Sequence, residues 1–266
     1  MNSLPTGSSR LFPIIGNPIR YVESPATLTS TFAARGYNAL CVPMEVPEGA
    51  LSTVMSGLSA TRNVDGILVT MPHKHAAFEL CATTSDRAEL LNVVSVIRRN
   101  SDSTWHGDML DGLAFVTAQR DRGAIIDGRR ALLIGAGGAG SAIAVALLEA
   151  GVGELIVHDA DEARSERLLH TLAGVGPGTI STGPRDPAGC DLVFNATPLG
   201  METGDPLPIE ASLLRPSMFV GDVIAGHGTT PFIAAAQAAG CPTATGGDMV
   251  KAVQALMADF LLGSAE

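Results

Sequence analysis

The segment ALLIGAGGAGSAIAVALLEA, residues 131–150, limits the fold of this chain more than any other stretch. It carries Gly135, Gly137 and Gly140 in the spacing GxGxxG, after an apolar run and before an Ala-rich helical pattern. Gly135 permits the turn, Gly137 lets the backbone approach a pyrophosphate, and Gly140 allows close packing of helix on strand. The helix that follows presents unpaired N–H groups to an anion. The segment predicts a dinucleotide-binding βαβ unit, whose phosphate-binding turn also includes Ala136, Gly138 and Ala139.

The next apolar run ends in LIVHDAD, which places Asp159 nineteen positions after Gly140. An acidic residue at about this distance hydrogen-bonds the ribose hydroxyls of NAD and repels the 2′-phosphate of NADP. Asp161 is the alternative, although it is also placed to cap the following helix. We favour Asp159, and NAD is therefore the expected cofactor.

Short apolar runs alternate with helical patterns along the whole chain, which predicts an α/β fold with mostly parallel sheets. The runs LFPIIG, ALCVPMEV, GILVTM and VVSVIRR predict strands before residue 112, and ALLIG, ELIVHD and CDLVFNATP predict strands after residue 130. The stretch 174–189 reads as a loop-rich connection. At 266 residues the chain exceeds one typical domain, and we place the boundary near residue 112.

Composition and charge exclude several classes of function. The formal net charge is −10, so neither a nucleic acid nor an anionic membrane is an expected partner. No run of about 18 apolar residues and no signal peptide is visible, and the four cysteines lack a CxxC spacing. The histidines, at 73, 75, 106, 158, 170 and 227, show no metal-ligand spacing beyond the pair 73/75, so no metal is expected. We expect a cytoplasmic protein that acts on a small molecule.

Lys74 follows the run GILVTMPHKH, two residues after the proline that ends a buried strand. Asp111, in HGDMLDG, stands at the start of the next long helix. A lysine and an aspartate at two such element ends can form a proton-transfer pair, in which the amine takes an alcohol proton as hydride leaves the same carbon. A surface ion pair is the alternative interpretation.

Several of these segments together resemble the shikimate/quinate dehydrogenase family over nearly the whole chain. The matching motifs, in order, are GNPI…SP (16–25), VTMPHK (69–74), GDMLDG (107–112), GAGGAG (135–140), DLVFNATPLGM (191–201), GDVI…TTPF (221–232) and GGDM (246–249). The resemblance implies an N-terminal α/β substrate domain, residues 1–112 with 240–266, and a Rossmann NAD-binding domain, residues 113–239. It also implies that the C-terminal helix packs back on the first domain.

The resemblance assigns roles to individual residues. Lys74 and Asp111 map onto the catalytic pair. The implied cofactor-binding positions beyond the glycine turn are Asn195, Thr197, Pro198, Gly247 and Met249, and the implied substrate-binding positions are Ser24, Thr70, Ser95 and Gln254. Where NADP-using members carry Asn-Arg-Thr, this chain reads His158, Asp159 and Ala160, without the arginine for a 2′-phosphate.

The chain also departs from the family pattern around the substrate. Val22 replaces a serine, Leu68 and Ser95 each replace an asparagine, and Ala225 stands where the family carries a tyrosine. The glutamine of the final helix falls one position late, at Gln254. The pattern is that of a divergent, shikimate-dehydrogenase-like branch.

The resulting expectation is an NAD-dependent oxidoreductase, active as a monomer or homodimer. It oxidises, reversibly, the ring hydroxyl of a shikimate- or quinate-like cyclic polyol carboxylate to the 3-keto product, a reaction of aromatic amino acid biosynthesis. An aminoshikimate- or aminoquinate-type dehydrogenase and a low-turnover NAD-binding regulatory protein are the alternatives. A folate-type dehydrogenase with a similar two-domain layout is disfavoured by the order of the motifs.

Overall fold

The computed structural model describes residues 5–20, 22–202, 204–226 and 228–263. The chain divides into two compact units. The first contains the residues up to Leu110 and those from Gln254 onwards, and the second contains Asp111–Val253.

The first unit is built on a six-stranded mixed sheet with the strand order β2-β1-β3-β5-β6-β4. Its strands are β1 (Arg10–Gly16), β2 (Ala39–Glu45), β3 (Gly66–Val69), β4 (Thr83–Thr84), β5 (Val96–Arg99) and β6 (Trp105–Asp108). Its helices include α1 (Ser24–Ala34), α2 (Leu51–Ala60), α3 (Lys74–Phe78) and α4 (Asp86–Leu91). β1 is parallel to β2 and β3, but β5 is antiparallel to both β3 and β6. The tight turn from Asn100 to Thr104, closed by a 2.8 Å backbone hydrogen bond, allows β5 and β6 only an antiparallel arrangement.

The second unit is built on a six-stranded parallel sheet with the order β12-β11-β10-β7-β8-β9. Its strands are β7 (Arg130–Ile134), β8 (Glu154–His158), β9 (Thr179–Thr182), β10 (Leu192–Asn195), β11 (Phe219–Asp222) and β12 (Thr243–Ala244). Its helices include α5 (Asp111–Asp121), α6 (Gly138–Glu149), α7 (Glu162–Thr171), α8 (Pro231–Ala238) and the first part of α9 (Gly246–Leu262). Read from β9, the order is that of the doubly wound Rossmann fold, with its topological switch point between β7 and β10. The predicted Rossmann domain is confirmed.

The C-terminal half of α9 packs on the first unit, as the resemblance implies. Asp259 pairs with Arg35 on α1 at 2.6 Å, and the ring of Phe260 stacks on His106 with centroids 5.9 Å apart. A Cβ on Gly66 would lie 2.3 Å from a methyl carbon of Leu261, so the glycine in β3 makes room for this helix.

The beginning of α9 and the strand before it belong to the second unit, whereas the family resemblance implies that all of 240–266 belongs to the first. Thr243 and Ala244 pair with β11. A Cβ on Gly246 would lie 2.2 Å from the carbonyl oxygen of Ile224. Because these backbone contacts belong to the Rossmann sheet, the unit boundary falls between Val253 and Gln254, inside the helix.

Gln119, on α5, is fully buried, and neither its amide nitrogen nor its oxygen has a hydrogen-bond partner among the described residues. A buried polar group without a partner costs about 1–3 kcal/mol. We therefore expect Gln119→Met, which keeps the shape of the side chain, to raise the free energy of unfolding by about 1–2 kcal/mol. Denaturant titration measures this, and an unchanged or lower midpoint would contradict the expectation.

Two further features concern what the described ranges can bind. No helix there is long and apolar enough to cross a membrane. In the same ranges, no three or more His, Cys, Asp or Glu side chains are grouped in a way that could hold a metal ion. His227 lies outside the described residues.

Candidate active site

The glycine turn joins β7 to α6 at the switch point of the Rossmann sheet. Gly135 has a φ of +105°, and a Cβ there would lie 2.8 Å from the carbonyl oxygen of Ala196. A Cβ on Gly140 would lie 1.9 Å from the carbonyl oxygen of Gly135, so packing requires glycine at both positions. At Gly137 and Gly138 a Cβ would have no atom of the described residues within 4 Å, and Gly137 has an extended backbone. Packing therefore does not explain these two glycines, whereas the close approach of a pyrophosphate does.

Asp159 follows β8, and its carboxylate is fixed against the glycine turn. Oδ2 accepts a 2.7 Å hydrogen bond from the N–H of Ala136, and Oδ1 accepts one of 2.9 Å from the N–H of Asp161. Burial raises the pKa of Asp159, but these hydrogen bonds and the charge of Arg164 outweigh it, so the pKa lies below its usual value. The carboxylate is consequently ionised near neutral pH. Asp161 is the N-cap residue of α7, and its side chain makes no capping hydrogen bond.

Asp159 borders a cavity of about 870 Å³ in the second unit. Gly135 and the turn Thr197–Leu199 also line it, together with an apolar wall that includes Leu207, Ile209 and Leu213. A cavity of this size lies within the range of small-molecule and cofactor sites. The arrangement of a glycine turn, an acidic residue after the second strand and an apolar wall matches the demands of a dinucleotide.

Two arginines that no sequence motif pointed to line the same cavity. Arg164, on α7, has Nη1 at 3.8 Å from Oδ1 of Asp159, and Arg185, in the loop after β9, donates to the carbonyl of Pro208 at 3.3 Å. From the sequence, a phosphate-binding arginine is expected at residues 158–160 alone. Arg164 lies five positions beyond Asp159 in the sequence. Its place on α7 brings its guanidinium to the cavity.

Beyond the glycine turn, the resemblance assigned five residues of the second unit to the cofactor, and they lie in different surroundings. Thr197 and Pro198 line the cavity. Gly247 and Met249 lie in the first turn of α9 and are not among the residues that line the cavity.

Asn195, the last residue of β10, has no exposed surface. Its Oδ1 accepts hydrogen bonds from the N–H and the hydroxyl of Thr197, at 3.0 and 2.6 Å. Asn195 thus holds the turn that begins at Thr197.

Lys74 is the first residue of α3 and is half-buried. The turn that presents it is fixed on both sides, because His73 N–H donates to the carbonyl of Thr70 at 3.0 Å and Val94 N–H donates to the carbonyl of Lys74 at 3.1 Å. The buried ring of His73 makes a 2.6 Å hydrogen bond to the carbonyl of Val46, so its Nε2 carries the proton. His73 thus packs and anchors the turn.

Asp111 is the first residue of α5 and is half-buried. Gly112, which follows it, lets α5 pack closely on α6, because a Cβ there would lie 1.9 Å from the carbonyl oxygen of Ala142. Leu110, the residue before Asp111, belongs to the first unit, and its N–H donates a 3.0 Å hydrogen bond to the hydroxyl of Ser95.

The positions assigned to the substrate differ in their access to solvent. Ser24, at the start of α1, Thr70, after β3, and Gln254, on α9, are half-buried. Ser95 and Leu68 have no exposed surface. The hydroxyl of Ser95 supports the chain before Asp111, and Leu68 is part of the core of the first unit.

Comparisons with known proteins agree with this arrangement. A family model described as the shikimate dehydrogenase substrate binding domain matches residues 14–97. The shikimate dehydrogenase (NADP(+)) of Rubrobacter xylanophilus is 36% identical over 246 residues, which covers 90% of this chain and 86% of that protein. The corresponding enzyme of Rhodospirillum rubrum is 33% identical over 250 residues, covering 91% and 87%.

Solved structures extend the likeness to both units. The shikimate 5-dehydrogenase of Listeria monocytogenes, in complex with shikimate and NAD, has a TM-score of 0.92 at 26% identity, covering 98% of this chain and 94% of that one. The quinate dehydrogenase of Corynebacterium glutamicum, in complex with NAD, has a TM-score of 0.87 at 26% identity, covering 96% and 94%. The chain therefore belongs to the shikimate/quinate dehydrogenase family and is an oxidoreductase that acts on CH–OH groups.

Proposed function

We propose that the chain catalyses the reversible, NAD-dependent oxidation of a ring hydroxyl of a shikimate- or quinate-like cyclic polyol carboxylate to the 3-keto product. The observation that carries the proposal is the ionised carboxylate of Asp159, fixed against the glycine turn at the edge of the 870 Å³ cavity. A ligand with a pyrophosphate and a ribose uses both features at once.

The described residues fit a nicotinamide dinucleotide. The N–H groups at the start of α6, open at Gly137 and Gly138, suit the pyrophosphate, and Asp159 suits the ribose hydroxyls. Thr197 and Pro198 form the wall next to them. The bound nicotinamide supplies the hydride acceptor for the reaction.

Lys74 and Asp111 supply the proton chemistry in this proposal. Lys74 Nζ takes the proton of the reacting hydroxyl during oxidation and returns it during reduction. Asp111 accepts a hydrogen bond from the substrate and fixes its hydroxyl for the lysine. Both residues begin a helix whose first turn is anchored to the surrounding fold, so their backbones are fixed before substrate binds.

NAD is the proposed cofactor, although the relatives from Rubrobacter xylanophilus and Rhodospirillum rubrum are named for NADP(+). The 2′-phosphate of NADP would approach the ionised Asp159, and no arginine stands at residues 158–160. Arg164 and Arg185 reduce this repulsion without removing it, because the nearer one is already engaged with Asp159 at 3.8 Å.

We expect Asp159→Ser to lower kcat/KM for NAD and to raise it for NADP, changing the ratio of the two by about ten- to a hundredfold. Two like charges a few ångströms apart near a protein surface repel by about 1–4 kcal/mol, a range that includes the roughly 1.4–2.8 kcal/mol of a ten- to hundredfold change. Steady-state kinetics with both cofactors measures it. Asp161→Ser is the matched control and should leave the ratio unchanged.

The role of Arg164 is tested in the same background. Adding Arg164→Gln to Asp159→Ser should remove part of the gain with NADP, because the freed guanidinium is then the group that receives the phosphate. Equal efficiencies of NAD and NADP in the wild-type protein, or an unchanged ratio in Asp159→Ser, would contradict the proposed preference.

An aminoshikimate- or aminoquinate-type substrate is the second candidate, favoured by Val22 and Ala225 in place of two hydroxyl-bearing residues. A screen of shikimate, quinate and their amino analogues with NAD separates the two. Tight NAD binding without turnover on any of them would instead support the regulatory alternative.

A further inference from the structure

A buried polar network lies where β10 and β11 end, and it centres on Asp222. Asp222 is the last residue of β11 and has no exposed surface. Its Oδ2 accepts a 2.6 Å hydrogen bond from the hydroxyl of Thr230, and its Oδ1 accepts hydrogen bonds from Asn195 Nδ2 at 3.0 Å and from the N–H of Ile224 at 3.2 Å. Three donors converge on one buried carboxylate, and they offset part of the cost of burying its charge.

The hydrogen bond from Asn195 to Asp222 fixes the orientation of the Asn195 amide. A carboxylate only accepts, so Nδ2 must face Asp222 and Oδ1 must face the opposite way. Oδ1 there accepts from the N–H and hydroxyl of Thr197, and Nδ2 also donates to the carbonyl of Leu199 at 3.3 Å. The hydroxyl of Thr197 in turn accepts from the N–H of Leu199 at 3.2 Å. The turn Thr197–Leu199 is thus tied to the carboxylate through one side chain.

This turn is one wall of the 870 Å³ cavity that contains Gly135 and Asp159. The other end of the network is equally fixed, because Thr230 also caps α8 by accepting from the N–H of Ile233 at 3.3 Å. Burial raises the pKa of Asp222, while the hydrogen bonds from Thr230, Ile224 and Asn195 oppose that rise. Keeping a carboxylate in this place is costly, and a stable fold alone is served equally well by apolar side chains.

We propose that Asp222 is a positioning residue for the dinucleotide: through Asn195 it fixes the turn Thr197–Leu199 in the shape that the cofactor requires. The inference rests on the proposed function, since it takes a nicotinamide dinucleotide to be the occupant of the cavity. Asp222 itself touches neither cofactor nor substrate in this proposal.

The principal test is the dissociation constant of NAD for Asp222→Asn. An asparagine offers one acceptor oxygen in place of two, so at least one of the three donors loses its partner. We expect the dissociation constant and the KM for NAD to rise about tenfold or more. A change of this size corresponds to the loss of one hydrogen bond to a charged group. The kcat at saturating NAD should stay close to that of the wild type. Asp191→Asn is the matched control and should leave NAD binding unchanged. Asp191 lies just before the first residue of β10, whereas Asn195 is the last residue of that strand.

A double-variant cycle separates positioning from general support of the fold. If Asp222 acts through Asn195, then Asp222→Asn should add little to the loss of NAD affinity already caused by Asn195→Ala. Additive losses would overturn the proposal.

Thr230 provides a second route should the Asp222 variant fold poorly. Thr230→Val removes the hydroxyl donor and should weaken NAD binding selectively, whereas Thr230→Ser keeps the donor and should restore it. A wild type that binds neither NAD nor NADP would overturn the proposed function. A wild type that binds NAD, with unchanged affinity in Asp222→Asn and Thr230→Val, would overturn this inference alone.

Discussion

Lys74→Ala is expected to lower kcat by roughly 100- to 10,000-fold while the dissociation constant of NAD stays within about twofold of the wild-type value. General acid–base groups contribute this much because the alcohol proton must leave as the hydride does. NAD binding should persist because the cavity is lined by residues of the second unit, whereas Lys74 begins α3 in the first. Steady-state kinetics and equilibrium binding measure the two effects separately.

The sequence provides a matched control for this variant. Lys251, on α9, is the other lysine of the chain and is exposed. Lys251→Ala should retain wild-type turnover. A wild-type kcat in Lys74→Ala on the best substrate, or an equal loss in both variants, would show that Lys74 does not carry the proton.

Shikimate is expected to be a poor substrate, with a kcat/KM roughly two to four orders of magnitude below that of the Listeria monocytogenes enzyme measured in parallel. The family resemblance implies hydroxyl-bearing residues that hold the substrate carboxylate, and Val22 and Ala225 replace two of them. Each lost hydrogen bond to a charged group costs about 1.5–3 kcal/mol. Both replacements are half-buried, and Ser24 keeps its hydroxyl.

Reversal of these two replacements tests the same idea in the opposite direction. Val22→Ser with Ala225→Tyr should recover at least tenfold of the kcat/KM for shikimate, whereas Leu68→Asn should recover none because Leu68 is fully buried. A wild-type KM for shikimate in the low micromolar range with rapid turnover would contradict the argument.

The second unit was the more predictable of the two from sequence, and the reason is local. The turn around Gly135 and the carboxylate of Asp159 depend on residues close together in the chain, and the apolar runs of β7 and β8 are long enough to be recognised. β9, by contrast, lies in the stretch that reads as a loop, because three of the four residues of Thr179–Thr182 are polar and the strand is only partly buried at the edge of the sheet.

The contacts that sequence reasoning missed join distant parts of the chain. Asp222, Asn195 and Thr230 come from two strands and a helix cap, so no local pattern signals their hydrogen bonds. The GDVI…TTPF motif contains two of them, but the family resemblance gave them no role. VVSVIRR was predicted as a strand and contains β5, but β6 and the antiparallel pairing of the two strands were not predicted, because the alternation of apolar runs does not report strand direction.

The unit boundary within α9 illustrates a different limit. A helix of 17 residues with one continuous apolar pattern gives no sign that its first turns belong to one unit and its last to another. That division arises because β12, just before α9, pairs with the Rossmann sheet. β12 has only two residues and is too short to be recognised from its sequence.

The most direct test of the proposed function is the initial rate of dinucleotide reduction by the purified protein with NAD and with NADP, over shikimate, quinate and their amino analogues. We predict that at least one of these cyclic alcohols reduces NAD, that NAD is used more efficiently than NADP, and that Lys74→Ala abolishes the signal. Reduction of neither cofactor by any of these compounds, or a higher kcat/KM with NADP than with NAD, would contradict the account.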